Sequence, residues 1–166
     1  MISPELLRRY PYFAGLNGKQ IPILARVADQ ATVEANHYFF HEGDELKNLY
    51  LVLEGMTVTV MEVPDREAKQ NLSAQLTGKL QTKDVVISTI GPGEVFGWSA
   101  LVAPYKATAS AKATTSCRVV EFDCRELRRI FAEDCQFGYL MLQKVAQVGR
   151  DRLHDMRIES LAYLVG

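Results

Sequence analysis

The sequence predicts a mainly β chain, a sandwich or barrel with helices at both ends, from three observations. Between residues 37 and 122, short runs rich in Val, Ile, Thr and aromatics are punctuated by Gly, Pro and Asp at the spacing of an all-β fold. Before that region and after Asp123 the apolar residues recur at helical spacing instead. With 166 residues, 48% of them hydrophobic and 23% charged, the chain has the length and balance of one packed domain rather than a disordered segment. The expected organisation is a single domain over residues 1–166: N-terminal helices in 1–35, the β region in 36–122 and C-terminal helices in 123–166.

The first 35 residues read as short helices. Ser3 caps residues 4–9, with proline at the first helical position, and residues 21–28 carry Ile21, Leu24, Ala25 and Ala28 on one face. Between them, residues 10–16 form a turn with aromatic anchors. The strand runs are residues 37–40, 49–53, 57–63, 85–90, 108–113 and 118–122. Residues 49–53 and 57–63 flank Glu54 and Gly55, where glycine accepts positive φ, so the two runs are expected to pair as a hairpin. Alternation then puts Val58 and Val60 toward the core and Thr57 and Thr59 on the other side. Residues 64–84 are polar and aperiodic, the composition of an exposed loop or an extended hairpin tip.

After the β region, Asp123 followed by Glu126 signals a helix start, with Leu127, Ile130 and Phe131 on one side. A longer helix covers residues 137–164, without proline. Its stripe comprises Leu142, Val145, Ala146, Gly149, Leu153, Met156, Ser160 and Leu164. At about 28 residues, or about 42 Å, it is too long to bury against one small domain. A second copy of the same helix is the simplest cover, giving a homodimer seam at Leu142, Val145, Ala146, Gly149, Leu153 and Met156.

Charge and cysteine content exclude several classes. Lys plus Arg total 19 and Asp plus Glu 20, a net charge of -1, so no overall basic field exists to hold nucleic acid. No direct nucleic-acid binding is expected of these residues. No stretch has the length or apolarity of a membrane span or secretory leader, which predicts a cytoplasmic protein. Cys117, Cys124 and Cys135 are odd in number and scattered, which suits free thiols rather than disulfides or a zinc site.

The most informative segment is residues 91–101, Gly-Pro-Gly-Glu-Val-Phe-Gly-Trp-Ser-Ala-Leu. It packs glycines and then turns apolar without a β-branched run, as one short turn of helix does. Backbone N–H groups at the start of such a turn suit an anion, and Gly97 lets a ligand approach the main chain. Taken alone, the same residues also fit a ligand-free barrel corner closed by Trp98.

These residues resemble the phosphate-binding cassette of the cyclic nucleotide-binding domain family, in its bacterial catabolite-activator-like (Crp/Fnr-type) branch. The likeness runs along nearly the whole chain. Tyr12-Phe13-Ala14-Gly15-Leu16 resembles the family's N-terminal helical segment, and Phe40-His41-Glu42-Gly43-Asp44 its first glycine turn. Residues 49–55 are similar to its central hairpin, residues 93–97 to the approach to the cassette, and the last helix to its dimerising helix. The resemblance implies an antiparallel β-roll, a double-stranded β-helix of the jelly-roll kind, with N-terminal helices and a long C-terminal dimerisation helix. It implies a non-catalytic sensor that signals through a helical dimer to a downstream protein partner the sequence does not identify.

The departures from the family pattern bear on the ligand. The family's ribose-binding glutamate directly after Phe-Gly is replaced here by Trp98, which cannot accept that hydrogen bond. The arginine that the family aims at the cyclic phosphate falls at Ala107, with Lys106 one residue before it. On a strand Lys106 would face the opposite way unless the register shifts, and an ammonium lacks the guanidinium fork. Losing two charged contacts of about 1.5–3 kcal/mol each predicts that cyclic AMP is not a tight ligand. The expected pocket is Gly97, Trp98, Ser99, Ala100, Lys106, Ala107 and Thr108 under the long helix, holding a small anionic or nucleotide-like effector or none.

Rival classes fit less well. A cupin-like metal enzyme would need His37 and His41 with Glu42 or Glu45, but that pair is spaced four apart and His154 lies on the last helix, so no metal and no other cofactor is expected. No nucleophile elbow or Walker-type run occurs. A helix-turn-helix would have to follow Gly166, which leaves either a stand-alone sensor or the effector domain of a cyclic-nucleotide-responsive transcription regulator.

Overall fold

Helices begin the chain where the capping signals put them. In the computed structural model, which describes residues 1–65, 72–78 and 81–166, α1 spans Pro4–Arg8 and Ser3 Oγ accepts the Glu5 amide at 3.3 Å. A 3₁₀ turn at Pro11–Phe13 follows, then α2 at Gln20–Arg26. Ala28 does not extend α2. It opens a strand, β1 (Ala28–Val33), which pairs antiparallel with Cys117–Asp123, from Ala28↔Phe122 to Val33↔Cys117. The β region therefore starts inside the first 35 residues, where only helices were expected. The polar residues of β1 carry no helical or strand period of their own, and the strand exists through its partner.

The remaining strands are β2 (Tyr38–Phe40), β3 (Asn48–Glu54), β4 (Thr57–Pro64), β5 (Thr82–Ile90), β6 (Val95–Phe96), β7 (Ser110–Ala113) and β8 (Cys117–Asp123). They form two antiparallel four-stranded sheets, β1-β8-β3-β6 and β2-β7-β4-β5. This is the β-roll the resemblance implied.

One local expectation is overturned. β3 and β4 are not a hairpin: they lie in different sheets, and Gly55 is the corner where the chain crosses between them. Its φ of +86°, together with a hypothetical Cβ only 2.3 Å from the Ser116 carbonyl oxygen, makes that corner specific to glycine. The true hairpin is β4 with β5, registered out to Pro64↔Thr82. Residues 64–84 are thus a hairpin tip, carrying α3 (Leu72–Thr77); residues 66–71, 79 and 80 of that expected tip lie outside the described residues.

β3 and β8 are buried on both faces, so their alternate residues enter different cores. Leu49, Leu51, Val120 and Phe122 pack with Leu7, Leu24 and Phe137 under the helices. Tyr50, Val52, Cys117 and Val119 meet Ile90, Ala111 and Ala113 between the sheets. Val58 and Val60 of β4 are buried as expected, but Thr57 on the other face is buried as well. Thr57 Oγ1 lies 3.8 Å from the buried Cys117 Sγ, and Thr59 lines the interior cavity. Both faces of β4 are covered, so a period of two could not say which was inner.

Two helices close the fold. α4 (Cys124–Glu133) begins at Asp123, whose Oδ1 accepts the amides of Arg125 and Glu126 at 2.9 and 3.3 Å. α5 (Cys135–Val165) begins at Asp134, which accepts the Phe137 amide at 3.0 Å. α5 buries Phe137, Gly138, Met141 and Val145 and is increasingly exposed beyond them. The three cysteines are free thiols, and burial pushes the Cys124 thiol up to about 12. Among the described residues no helix is long and apolar enough to cross a membrane.

Candidate functional site

A cavity of about 510 Å³ opens between the β-roll and α5, within the size range of small-molecule sites. Stacked aromatics support one wall: Tyr50 and Phe96 lie 4.8 Å apart at 9°, with Phe39 edge-on to Phe96 at 4.9 Å. Gly97 turns the chain out of β6 with φ +75° and sits against the Asn48 carbonyl and the Tyr50 ring, where a Cβ would come within 2.9 and 3.0 Å. The short helical turn expected next is present as a 3₁₀ turn, Trp98–Leu101. Arg128 of α4 holds the end of this turn, donating to the Ala100 carbonyl at 2.6 Å and stacking its guanidinium 4.0 Å from the Tyr105 ring centroid.

Of the seven residues expected in the pocket, Gly97, Trp98, Ser99, Ala107 and Thr108 line this cavity. Ala100 does not, being fully buried behind the turn. Lys106 does not either. Residues 105–107 are pinned to the first glycine turn by Leu46 N to Tyr105 O at 2.7 Å, Ala107 N to Asp44 O at 2.9 Å and Gly43 N to Ala107 O at 2.8 Å. That ladder turns Ala107 inward and leaves Lys106, whose backbone pairs antiparallel with that of Glu45, exposed on the opposite side. The register does not shift to bring the ammonium in.

The residue that pattern reasoning missed is Arg152. Interleaved with Asp151 and Asp155, it reads as part of a solvated helix face, yet it is the one charged side chain lining the cavity among the described residues. Its Nη1 donates to Ser88 Oγ and its Nη2 to the Val95 carbonyl, both at 2.9 Å. Ser88 Oγ is in turn 2.6 Å from Thr59 Oγ1. Burial holds the guanidinium below the ordinary arginine value, against the opposing pull of the Glu94 and Asp155 carboxylates. The missed signal was position: Arg152 falls three residues after Gly149 on the helix stripe, not opposite it.

The expected dimer seam divides in the structure. Val145 is 4% exposed and packs into the chain's own core, so it is not available to a second helix. Gly149, Leu153 and Met156 line the cavity, and the latter two remain 49% and 45% exposed. Leu142 and Ala146 face solvent.

A metal set fits nowhere among the described residues: no three His, Cys, Asp or Glu side chains come together. His41 is stacked on Tyr38 and lies 3.0 Å from Glu62 Oε1.

The roll, the glycine-cornered turn and the helix over its mouth define a cyclic nucleotide-binding domain. The family model for that domain matches residues 30–134, and the chain belongs to the family. A solved structure of a candidate cyclic nucleotide-binding protein from Geobacter metallireducens GS-15 matches with TM-score 0.75 and 30% identity, over 93% of this chain and 100% of that one. The N-terminal domain of a transcriptional regulator from Streptomyces coelicolor A3(2) matches with TM-score 0.63 and 25% identity, over 90% and 92%. In sequence the chain is related to a CRP-like cAMP-activated global transcriptional regulator of Mycobacterium tuberculosis, 24% identical over 86% of this chain and 57% of that protein. The chain thus spans little more than half the length of that relative.

Proposed function

We propose that this chain is a non-catalytic, cytoplasmic ligand-sensing domain with an altered phosphate-binding cassette, signalling through a dimer of α5. One observation carries the reading. The cavity is bounded on one side by the roll, at Gly97 and Trp98, and on the other by α5, at Gly149 and Leu153. An effector seated there touches both parts at once, so its binding energy depends on where the helix lies. Leu153 and Met156 also keep about half their surface free, so the occupant of the cavity and a second helix share the same side chains.

The altered cassette argues against cyclic AMP as a tight ligand. Trp98 replaces a carboxylate, Ala107 a guanidinium, and Lys106 points away. The second reading is the cyclic-nucleotide effector domain of a longer transcription regulator, which the name of the Mycobacterium relative favours.

Native mass spectrometry of gently purified protein tests the proposal. The expected spectrum is a dimer, twice 18.6 kDa, that retains a small molecule other than a cyclic nucleotide. A bare monomer overturns the proposal, and retained cyclic AMP or cyclic GMP replaces it by the second reading.

A further inference from the structure

We infer that Arg152 is the anion anchor of the cavity, and that the effector is an organic monoanion, a carboxylate on an apolar body, held by the helix rather than by the cassette. The inference rests on the sensor reading and deepens it. Arg152 reaches the cavity from α5 and has no carboxylate within ion-pair distance among the described residues. Glu94 and Asp155 act on the half-buried guanidinium only from beyond ion-pair distance, so a bound anion in direct contact offsets its burial further. A guanidinium has five N–H groups. The bonds to Ser88 Oγ and the Val95 carbonyl use one on each Nη, leaving Nε–H and one N–H on each Nη for a ligand. The Thr59–Ser88–Arg152 chain fixes the plane of the fork before any ligand arrives, at 2.6 and 2.9 Å.

The rest of the wall sets the other half of the ligand. Phe40, Met61, Phe96, Trp98, Leu153 and Met156 are apolar or aromatic and supply no second cation. Only one negative charge is therefore matched. On the far side of Arg152 the neighbouring cavity is lined by Glu94, Asp151, Asp155 and Glu159, and these carboxylates oppose a multiply charged ligand. An anchor on α5 also differs in consequence from one on the roll. With Arg152 as the anchor the charge contact itself comes from α5, in addition to the apolar contacts that Leu153 and Met156 make with any occupant of the cavity.

Isothermal titration calorimetry of the full chain tests this with 2-naphthoate, its neutral isostere 2-naphthamide and cyclic AMP. Naphthoate should bind once per chain and at least about tenfold tighter than the amide, the ratio expected of a charge-assisted fork. Arg152→Gln should erase that preference by weakening naphthoate far more than naphthamide, with an unaltered far-UV spectrum and retained naphthamide binding showing that the cavity is intact; Arg152→Lys should restore part of it. Equal binding of acid and amide, a preference surviving in Arg152→Gln, or no saturable heat with naphthoate overturns the inference. Cyclic AMP binding tighter than naphthoate and unaffected by Arg152→Gln also overturns it, while leaving a ligand-sensing roll in place.

Discussion

A methyl group at residue 97 has nowhere to go. Gly97 sits at φ +75° with its absent Cβ facing the Asn48 carbonyl at 2.9 Å and the Tyr50 ring at 3.0 Å, and Tyr50 is itself stacked on Phe96. Neither neighbour can retreat, since Asn48 is in a paired strand and the aromatic stack is the support of the cavity wall. Gly97→Ala is therefore expected to cost about 2 kcal/mol, from left-handed backbone strain plus the displaced contact. Urea unfolding should show the midpoint fall without a change in slope, and an unmoved midpoint would mean the turn is looser than drawn. This residue was legible in the sequence because glycine between an aromatic and a tryptophan has few uses other than a tight corner. Arg152 was not legible. Its neighbours Asp151 and Asp155 are charged, and only the placement of the helix over the roll reveals that one of the alternating charges points inward.

At the scale of elements, α5 carries a glycine in its interior, which costs about 1 kcal/mol of helix stability relative to alanine. A Cβ at Gly149 meets nothing within 4 Å, so no packing contact within the chain demands the glycine. Its cost is explained if the space belongs to a ligand or to a second helix. Gly149→Ala should thus raise the thermal midpoint of the protein as purified free of ligand while weakening naphthoate binding or dimerisation. A stabilised variant with both unchanged would make the glycine incidental. Elements held by local signals were readable: α1 and α4 follow caps at Ser3 and Asp123, α5 follows its proline-free apolar stripe although its cap at Asp134 went unread, and the strand runs fall close to their expected bounds. Elements held by partners were not. β1 is defined by its ladder to β8, and the Gly55 corner resembles a hairpin turn until the strands on either side are seen to join different sheets. On β4 the burial of Val58 and Val60 was readable, but that of Thr57 and the cavity position of Thr59 were not, because hydroxyls that line a cavity look in sequence like hydroxyls in solvent.

For the molecule as a whole, the unresolved demand is the far end of α5. The helix has 31 residues, and from Leu153 onward every residue is exposed, including Met156, Ile158, Leu161 and Leu164. A projecting helix with uncovered apolar residues gains little stability by itself. Leaving out the buried Val145, the expected stripe Leu142, Ala146, Gly149, Leu153, Met156 and Ser160 advances by alternating steps of four and three, the period at which two helices wrap around each other; a further step of three falls on Tyr163, beside the expected Leu164. Small residues at Ala146 and Gly149 permit close approach at its centre. Leu142 belongs to this stripe but does not line the cavity, so it separates association from ligand binding. Sedimentation velocity should give a dimer for the wild-type chain, and Leu142→Glu, which opposes two carboxylates across the seam, should shift it to the 18.6 kDa monomer, whereas Gln147→Glu, which lies off the stripe, should not. A wild-type monomer, or an unaltered mass in Leu142→Glu, would remove the seam. If the seam forms, Leu153 and Met156 serve both it and the cavity, and the two equilibria are linked reciprocally: whatever factor a ligand adds to dimer affinity, dimerisation adds to ligand affinity.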